Sequence, residues 1–292
     1  MMNRVVSWFE DNKRDLPWRA PEVGPWGVLV SEVMLQQTPV SRVLPVYEYW
    51  MARWPTPAHF AQESLAEVLR AWDRMGYPRR AKRLHEAAQA IVAEHGGRVP
   101  SDLDALLALP GVGDYTARAV RSFAFGIPEA VVDTNVRRVV ARAQSGQGEA
   151  GPPRTVADRA AVSAVLETLD DAAGQCVGAA GLMELGAIVC KARAPECSVC
   201  PIADLCRWRI AGYPPYGGSR AAKQARFEGS DRQVRGIILR ELRSSDTPVP
   251  AHFLRALWSE PEQFERALAS LLEDGLIEAV PENPEDYRIS GS

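Results

Sequence analysis

Leu109-Pro110-Gly111-Val112-Gly113-Asp114-Tyr115-Thr116 is the stretch on which the reading of the fold turns. Ser101 to Ala108 before it has the pattern of a short helix, and Asp114 to Phe125 after it has the pattern of another. Glycine takes positive φ and lets a second backbone come close. The first amides of the following helix then point outward, at the positive end of its dipole. Such a turn can hold a phosphate on backbone N–H groups, so Gly111, Val112 and Gly113 are candidate phosphate contacts.

Helical signals continue in both directions. Trp26 to Gln36 is apolar with Glu32 inside it, and Thr38-Pro39 offers a cap and a first-turn proline for the next helix. Ser64-x-x-Glu67 has the capping-box pattern. Arg79 to Glu94 is amphipathic and stops at Gly96-Gly97. Asp133 or Thr134 caps a helix running to about Gln144, and two more fill Arg154 to Asp171 and Gln175 to Val189. No hairpin signal precedes residue 270, so the body reads as all-α.

The chain has 292 residues, 46% hydrophobic and 24% charged. That composition excludes a disordered chain and a small disulfide-stapled scaffold. No apolar run approaches the ~20 residues of a membrane span, and the N-terminus lacks a signal peptide's apolar stretch. The expected compartment is the cytoplasm. The net charge of −3 is unevenly spread: Glu241 to Ser292 carries 11 acidic and 4 basic residues, leaving the rest at +4. A mildly basic body permits nucleic-acid binding through local patches.

Four of the five cysteines crowd one segment, Cys190-x6-Cys197-x2-Cys200-x5-Cys206. Four soft thiolates so close together suit a compact metal centre, either an iron–sulfur cluster or tetrahedral zinc. Lys191, Arg193, Arg207 and Arg209 border the loop and offer phosphate contacts. Cys176 stands apart and reads as a buried small apolar residue.

Two carboxylates sit in contrasting settings. Glu32, within Val30 to Thr38, is flanked by apolar residues; partial desolvation raises its pKa and suits a general acid. Asp133 precedes Thr134-Asn135-Val136-Arg137-Arg138 at a helix N-terminus, which favours its anion. Two carboxylates held in different protonation states are the usual equipment for cleaving a glycosidic bond.

These pieces occur together and in order. Leu16-Pro17-Trp18-Arg19, Ser31 to Thr38 (SEVMLQQT), Leu109 to Thr116 (LPGVGDYT), Val132 to Val136 (VDTNV) and the four-cysteine loop resemble the MutY family of adenine DNA glycosylases, in the helix-hairpin-helix superfamily. The resemblance spans roughly residues 3–210. It implies an all-α helix-hairpin-helix DNA glycosylase fold: a six-helix barrel (about 22–128) and an iron–sulfur cluster domain (1–21 and 129–211). A [4Fe–4S] cluster on Cys190, Cys197, Cys200 and Cys206 is implied with it. The implied substrate is double-stranded DNA with adenine opposite 8-oxoguanine or guanine, the adenosine being flipped out. Glu32 would protonate the adenine N7 and later activate water, and Asp133 would stabilise the oxocarbenium-like sugar. Tyr115 and Asn135 match supporting positions. Arg19, Leu35, Gln37 and Tyr77 match DNA contacts, Leu35 and Gln37 at the lesion pair. Tyr115 stands where lyase relatives carry a lysine, which implies a monofunctional, hydrolytic enzyme.

Two features depart from the family. Pro78 follows Gly76-Tyr77 where many relatives have a second tyrosine, with Arg79 or Arg80 as compensation. The segment from 231 is too short for the family's usual 8-oxoguanine-reading domain and resembles actinobacterial versions. Residues 212–230, rich in proline, glycine and basic residues such as Arg220, Lys223 and Arg226, read as a linker. Residues 231–292 read as three short helices with a hairpin of Leu276 to Val280 and Tyr287 to Ile289, a winged-helix-like module. Its acidity argues for a protein partner or plain packing over phosphate binding. The chain is expected to be a monomer. Competing readings are a helix-hairpin-helix glycosylase of other mismatch specificity, a catalytically silent damage-binding protein and a zinc-bound regulator.

Overall fold

A computed structural model describes residues 1–220 and 226–292; Lys223 and the rest of 221–225, inside the expected linker, lie outside the described residues. The chain forms two compact units, each built from discontinuous segments. One comprises Met1–Leu29, Ser101–Ala108 and Val112–Ala222; the other comprises Val30–Pro100, Leu109–Gly111 and Lys223–Ser292.

The first unit is wholly helical among its described residues. Helix Met2–Asn12 buries Met2, Val5 and Phe9 against helix Ala172–Ile188. Gly181 permits that approach, because a Cβ there would sit 3.0 Å from Val5 Cγ1. Helices Asp114–Phe125, Thr134–Ser145 and Thr155–Leu166 complete the core around Val131, Val136, Leu182 and Leu185. Glu184 is fully buried at its edge and accepts from Arg14 N at 3.0 Å, Arg14 Nε at 2.7 Å and Arg19 Nη2 at 2.9 Å. Burying that carboxylate is tolerable only because both guanidiniums meet it. They hold its pKa down to about 2 against the opposing push of burial.

The second unit is built on an aromatic core. Trp50 packs on Trp54, Phe60 and Trp72 with ring centroids 5.0–5.4 Å apart, in tilted and edge-on arrangements that suit ring quadrupoles. Helices Val40–Arg53, Pro57–Ala61, Leu65–Trp72 and Arg79–His95 supply and surround it. Ser64 caps its helix by accepting from Glu67 N at 3.2 Å, half of the expected box; the Glu67 carboxylate turns to Arg70 and Arg53 instead. Thr38 is not the cap expected of it. Pro39 holds the cap position of Val40–Arg53, while the buried Thr38 hydroxyl donates to Met75 O and accepts from Arg80.

The same unit takes in the C-terminal segment. Helices Asp231–Ser244, Ala251–Arg255 and Pro261–Glu273 pack around Val234, Ile238, Phe264 and Leu271. A three-stranded antiparallel sheet follows, β1 (Val249–Pro250), β2 (Ile277–Val280) and β3 (Asn283–Ile289), in the order β1-β3-β2. The expected hairpin is present with Ile277 opposite Ile289. The two-residue β1 is an addition that its length hides from pattern reading, and it places a strand before residue 270. Lys82 Nζ donates to Asp274 O at 2.7 Å and Arg243 Nη1 to Asp73 O at 2.5 Å, anchoring the segment to the rest of its unit.

Candidate active site and cysteine centre

Every residue from Trp26 to Met34 in helix Pro25–Leu35 is buried. A helix apolar on all sides belongs in a core. Glu32 is its sole ionisable residue and is 5% exposed. An interior carboxylate carries a desolvation cost that packing alone does not explain. Leu35 and Gln36 are half-buried and Gln37 is exposed, with φ +56.

Asp133 belongs to the other unit. It caps helix Thr134–Ser145, its Oδ1 accepting from Val136 N at 2.7 Å and its Oδ2 from Asn135 Nδ2 at 2.7 Å. Arg138 Nη2 donates in turn to Asn135 Oδ1 at 2.7 Å. Sequence reasoning expected the helix terminus to favour the anion. Burial outweighs those hydrogen bonds, and the Asp133 pKa is raised. Asn135 is wedged against Gly186, where a Cβ would lie 2.7 Å from Asn135 Cβ and 2.8 Å from its carbonyl oxygen. Tyr115 is half-buried, its hydroxyl 4.0 Å from Met183 Sδ.

The hairpin turn has the expected character. Gly111 has φ +77, and a Cβ on it would meet Arg83 Cβ at 2.6 Å, so only glycine fits. Val112 is buried while Gly111 and Gly113 are exposed. Helix Asp114–Phe125 has no side-chain cap, whereas Ser64, Asp133 and Asp171 cap theirs. Asp114 pairs with Arg118 and Arg159 instead. The cap position of this helix is Gly113, which has no side chain to offer its first amides.

Tyr77, 38% exposed with φ +48, lies on an arginine: the Arg80 guanidinium is 5.7 Å from its ring centroid. Arg80 is no substitute for a duplex-probing tyrosine. Its guanidinium donates to Val33 O, Met34 O, Thr38 Oγ1, Met75 O and Gly76 O, and burial pulls its pKa down to about 10. Arg19 is similarly engaged, with Glu184 and with Arg14 O at 3.1 Å.

The four clustered cysteines line one small cavity with Val139, Leu185 and Ile202. Among the described residues, no three His, Cys, Asp or Glu side chains converge on a single-ion site. Arg142, 4% exposed, donates to Cys190 Sγ at 3.4 Å and to Lys191 O at 2.8 Å and stacks on Trp208 at 4.6 Å. A buried cation beside thiol sulfurs suits a centre that gathers negative charge. Burial pushes the Cys200 thiol up to about 11, so ligand binding there must displace protons. Of the flanking bases, Lys191 pairs with Glu196, and exposed Arg207 donates to Gln144 O at 2.7 Å. Cys176 is buried, as expected.

Residues 30–161 match the family model of the HhH-GPD superfamily base excision DNA repair proteins, and residues 190–206 match the iron-sulfur binding domain of endonuclease III. The chain is 52% identical over 274 residues to the adenine DNA glycosylase of Mycobacterium tuberculosis (strain ATCC 25618 / H37Rv), covering 94% of this chain and 88% of that one. The chain belongs to the adenine DNA glycosylase family. The adenine DNA glycosylase of Mycolicibacterium smegmatis is 53% identical over 275 residues, covering 94% of this chain and 91% of its own. The human adenine DNA glycosylase is 42% identical over 213 residues, 70% of this chain and 38% of the human one. A thermostable thymine-DNA glycosylase superposes with a TM-score of 0.64 at 28% identity, over 72% of this chain and 95% of that chain. Endonuclease III in a non-covalent DNA complex gives 0.60 at 26%, over 72% and 94%. The fold is thus the helix-hairpin-helix glycosylase fold, the activity is adenine excision from DNA in base excision repair, and residues 190–206 are an iron–sulfur binding segment.

In this chain, sequence reasoning missed Arg138 and Arg142. They stand at i and i+4 on the helix that Asp133 begins. Arg138 Nε donates to Cys190 O and its Nη2 to Gly186 O, both at 2.7 Å, so one side chain joins Asn135 to the cysteine loop. The four-residue spacing was the available signal.

Proposed function

We propose that the enzyme removes adenine opposite 8-oxoguanine or guanine by hydrolysis, without strand cleavage, and that Cys190, Cys197, Cys200 and Cys206 hold a [4Fe–4S] cluster. The observation that carries the catalytic reading is Glu32, one carboxylate in a helix otherwise buried and apolar. Its proton goes to the adenine N7 and makes the base a leaving group. Asp133, fixed by Val136 N and Asn135, faces the positive charge that develops on the sugar. The backbone amides at the start of helix Asp114–Phe125, where Gly113 leaves the helix end open to a ligand, hold a DNA phosphate. Tyr115 cannot form the imine that a lysine would, so the abasic product stays unnicked. A cluster held by these thiolates would order the loop that offers Arg207 and Arg209 to the DNA backbone.

The test is an excision assay on duplexes pairing adenine with 8-oxoguanine, guanine, cytosine or thymine, each with and without alkali. Strand breaks should appear only after alkali and only with the first two. Breaks without alkali would refute monofunctional chemistry, and equal action on all four would refute mismatch recognition.

Two further outcomes are expected. Gly186→Ala should push Asn135 and the start of its helix aside and lower single-turnover adenine release by about 10- to 100-fold, with the chain still folded by circular dichroism. Unchanged turnover would remove Asn135 from the mechanism. Cys200→Ser should lose the brown colour and the absorption near 400 nm and weaken DNA binding at least tenfold. Retained absorption would exclude Cys200 as a ligand.

A further inference from the structure

Helix Asp231–Ser244 and the 72–80 turn wall a cleft of about 950 Å³ that also reaches Gln36, Gln37 and Arg42. Eight arginines line it against one carboxylate, Asp73. Some of these cations serve the fold: Arg80 is bound to backbone carbonyls, and Arg235 pairs with Asp274 at 2.6 Å. Others do not. Arg42, Arg74 and Arg240 are exposed, and none makes an ion pair among the described residues. Crowding unneutralised like charges costs folding energy, so an anion is the expected occupant.

The walls are also strained where they meet the cleft. Among the described residues, five that are not glycine have positive φ, and three of them, Gln37, Asp73 and Tyr77, line this cleft. Such conformations are strained for a residue with a side chain and collect where a ligand is gripped. Tyr77 is braced from the C-terminal helix by Arg232 Nη1, 3.2 Å from its hydroxyl. Phe227 is 57% exposed at the same cleft. A basic channel edged by aromatic rings is the arrangement that tracks a sugar–phosphate chain while leaving bases free to stack.

We propose that this cleft holds a stretch of the DNA backbone, and that the C-terminal module therefore extends the enzyme's footprint on DNA. The proposal rests on the reading of the protein as a DNA glycosylase, since it needs bound DNA. It replaces the expectation that the module's acidity keeps it from phosphate. Of the module's acidic residues only Asp231 precedes Glu241, while Arg232, Arg235, Arg240 and Arg243 fall on the face of their helix that lines the cleft.

The test measures binding of the full chain to a duplex carrying a tetrahydrofuran abasic analogue in place of the adenosine, over a range of NaCl concentrations. The triple variant R42Q/R74Q/R240Q is compared with wild type and with R98Q, which removes an exposed charge outside the cleft. The triple variant should bind at least about tenfold more weakly, with a log–log salt slope smaller by about two to three; R98Q should stay within about twofold. If the triple variant melts early, R74Q and R240Q are read singly, each expected to lower the slope by about one. Equal affinity and slope in all proteins would overturn the proposal. So would inorganic tripolyphosphate stabilising wild type but not the triple variant while DNA binding stays unaltered, which would mark a small-anion pocket. Wild-type excision of adenine with no cleft effect sinks this proposal alone. Weakened binding in a chain that never releases adenine sinks the glycosylase mechanism alone.

Discussion

Glu32→Gln is expected to lower single-turnover adenine release by ~10²–10⁴-fold, the range for losing a positioned general acid, and to leave affinity for an adenine·8-oxoguanine duplex within about threefold. The substitution keeps the shape of a side chain that is 5% exposed, so helix Pro25–Leu35 has no reason to repack. On the proposed mechanism, what disappears is the proton that makes adenine leave and the carboxylate that then draws a proton from water. Asp133→Asn makes the informative comparison, because on the same proposal it removes the carboxylate assigned to the sugar and leaves the donor. Turnover of Glu32→Gln within tenfold of wild type would take Glu32 out of the reaction. A parallel collapse of DNA binding would make it a structural residue instead.

Glu184→Ala should cost about 3–5 kcal/mol of stability, the usual penalty for stripping one partner from a buried ion pair. Arg14 and Arg19 would be left beside a small cavity with no counter-charge. The wild type carries a matching pH signature. Because the folded Glu184 pKa is held near about 2, below its ordinary value of 4.5, its stabilisation is complete above pH 4.5. It is lost as the pH falls toward 2, and amounts to about 3 kcal/mol at most. Thermal melts between pH 7 and pH 3 should therefore show wild type losing stability that the variant never had. Parallel curves for the two proteins, or equal melting temperatures at pH 7, would show that this cluster does not hold the unit together.

What the sequence made legible was mostly local. Gly111 and the break it makes, the Asp133 cap, the Asp114–Phe125 helix and the isolation of Glu32 each follow from residues a few positions apart. The cysteine spacing was readable for the same reason. Chain-distant partners were not. Arg19 reads as a DNA contact from the family motif, and its partner Glu184 lies 165 positions away, beyond the reach of local pattern. Thr38 looks like a cap until Arg80 claims its hydroxyl across 42. The Asp133 pKa was misjudged because a helix terminus is visible in sequence and burial is not. The arginine stripe of helix Asp231–Ser244 was legible at helical spacing; a charge count beginning at Glu241 split Arg243 from the others and concealed it.

The first unit begins with Met1–Leu29 and ends with Val112–Ala222. On the ribosome, helix Met2–Asn12 emerges long before Ala172–Ile188, the element that covers Met2, Val5 and Phe9. At ~5–20 residues per second, that interval lasts on the order of ten to thirty seconds. Throughout it the apolar side of that helix, Met2, Val5 and Phe9, lacks the element that covers it in the folded unit and is open to self-association. Slow translation of the middle third would lengthen the exposure, so soluble yield should depend on synthesis speed more than on the stability of the finished enzyme.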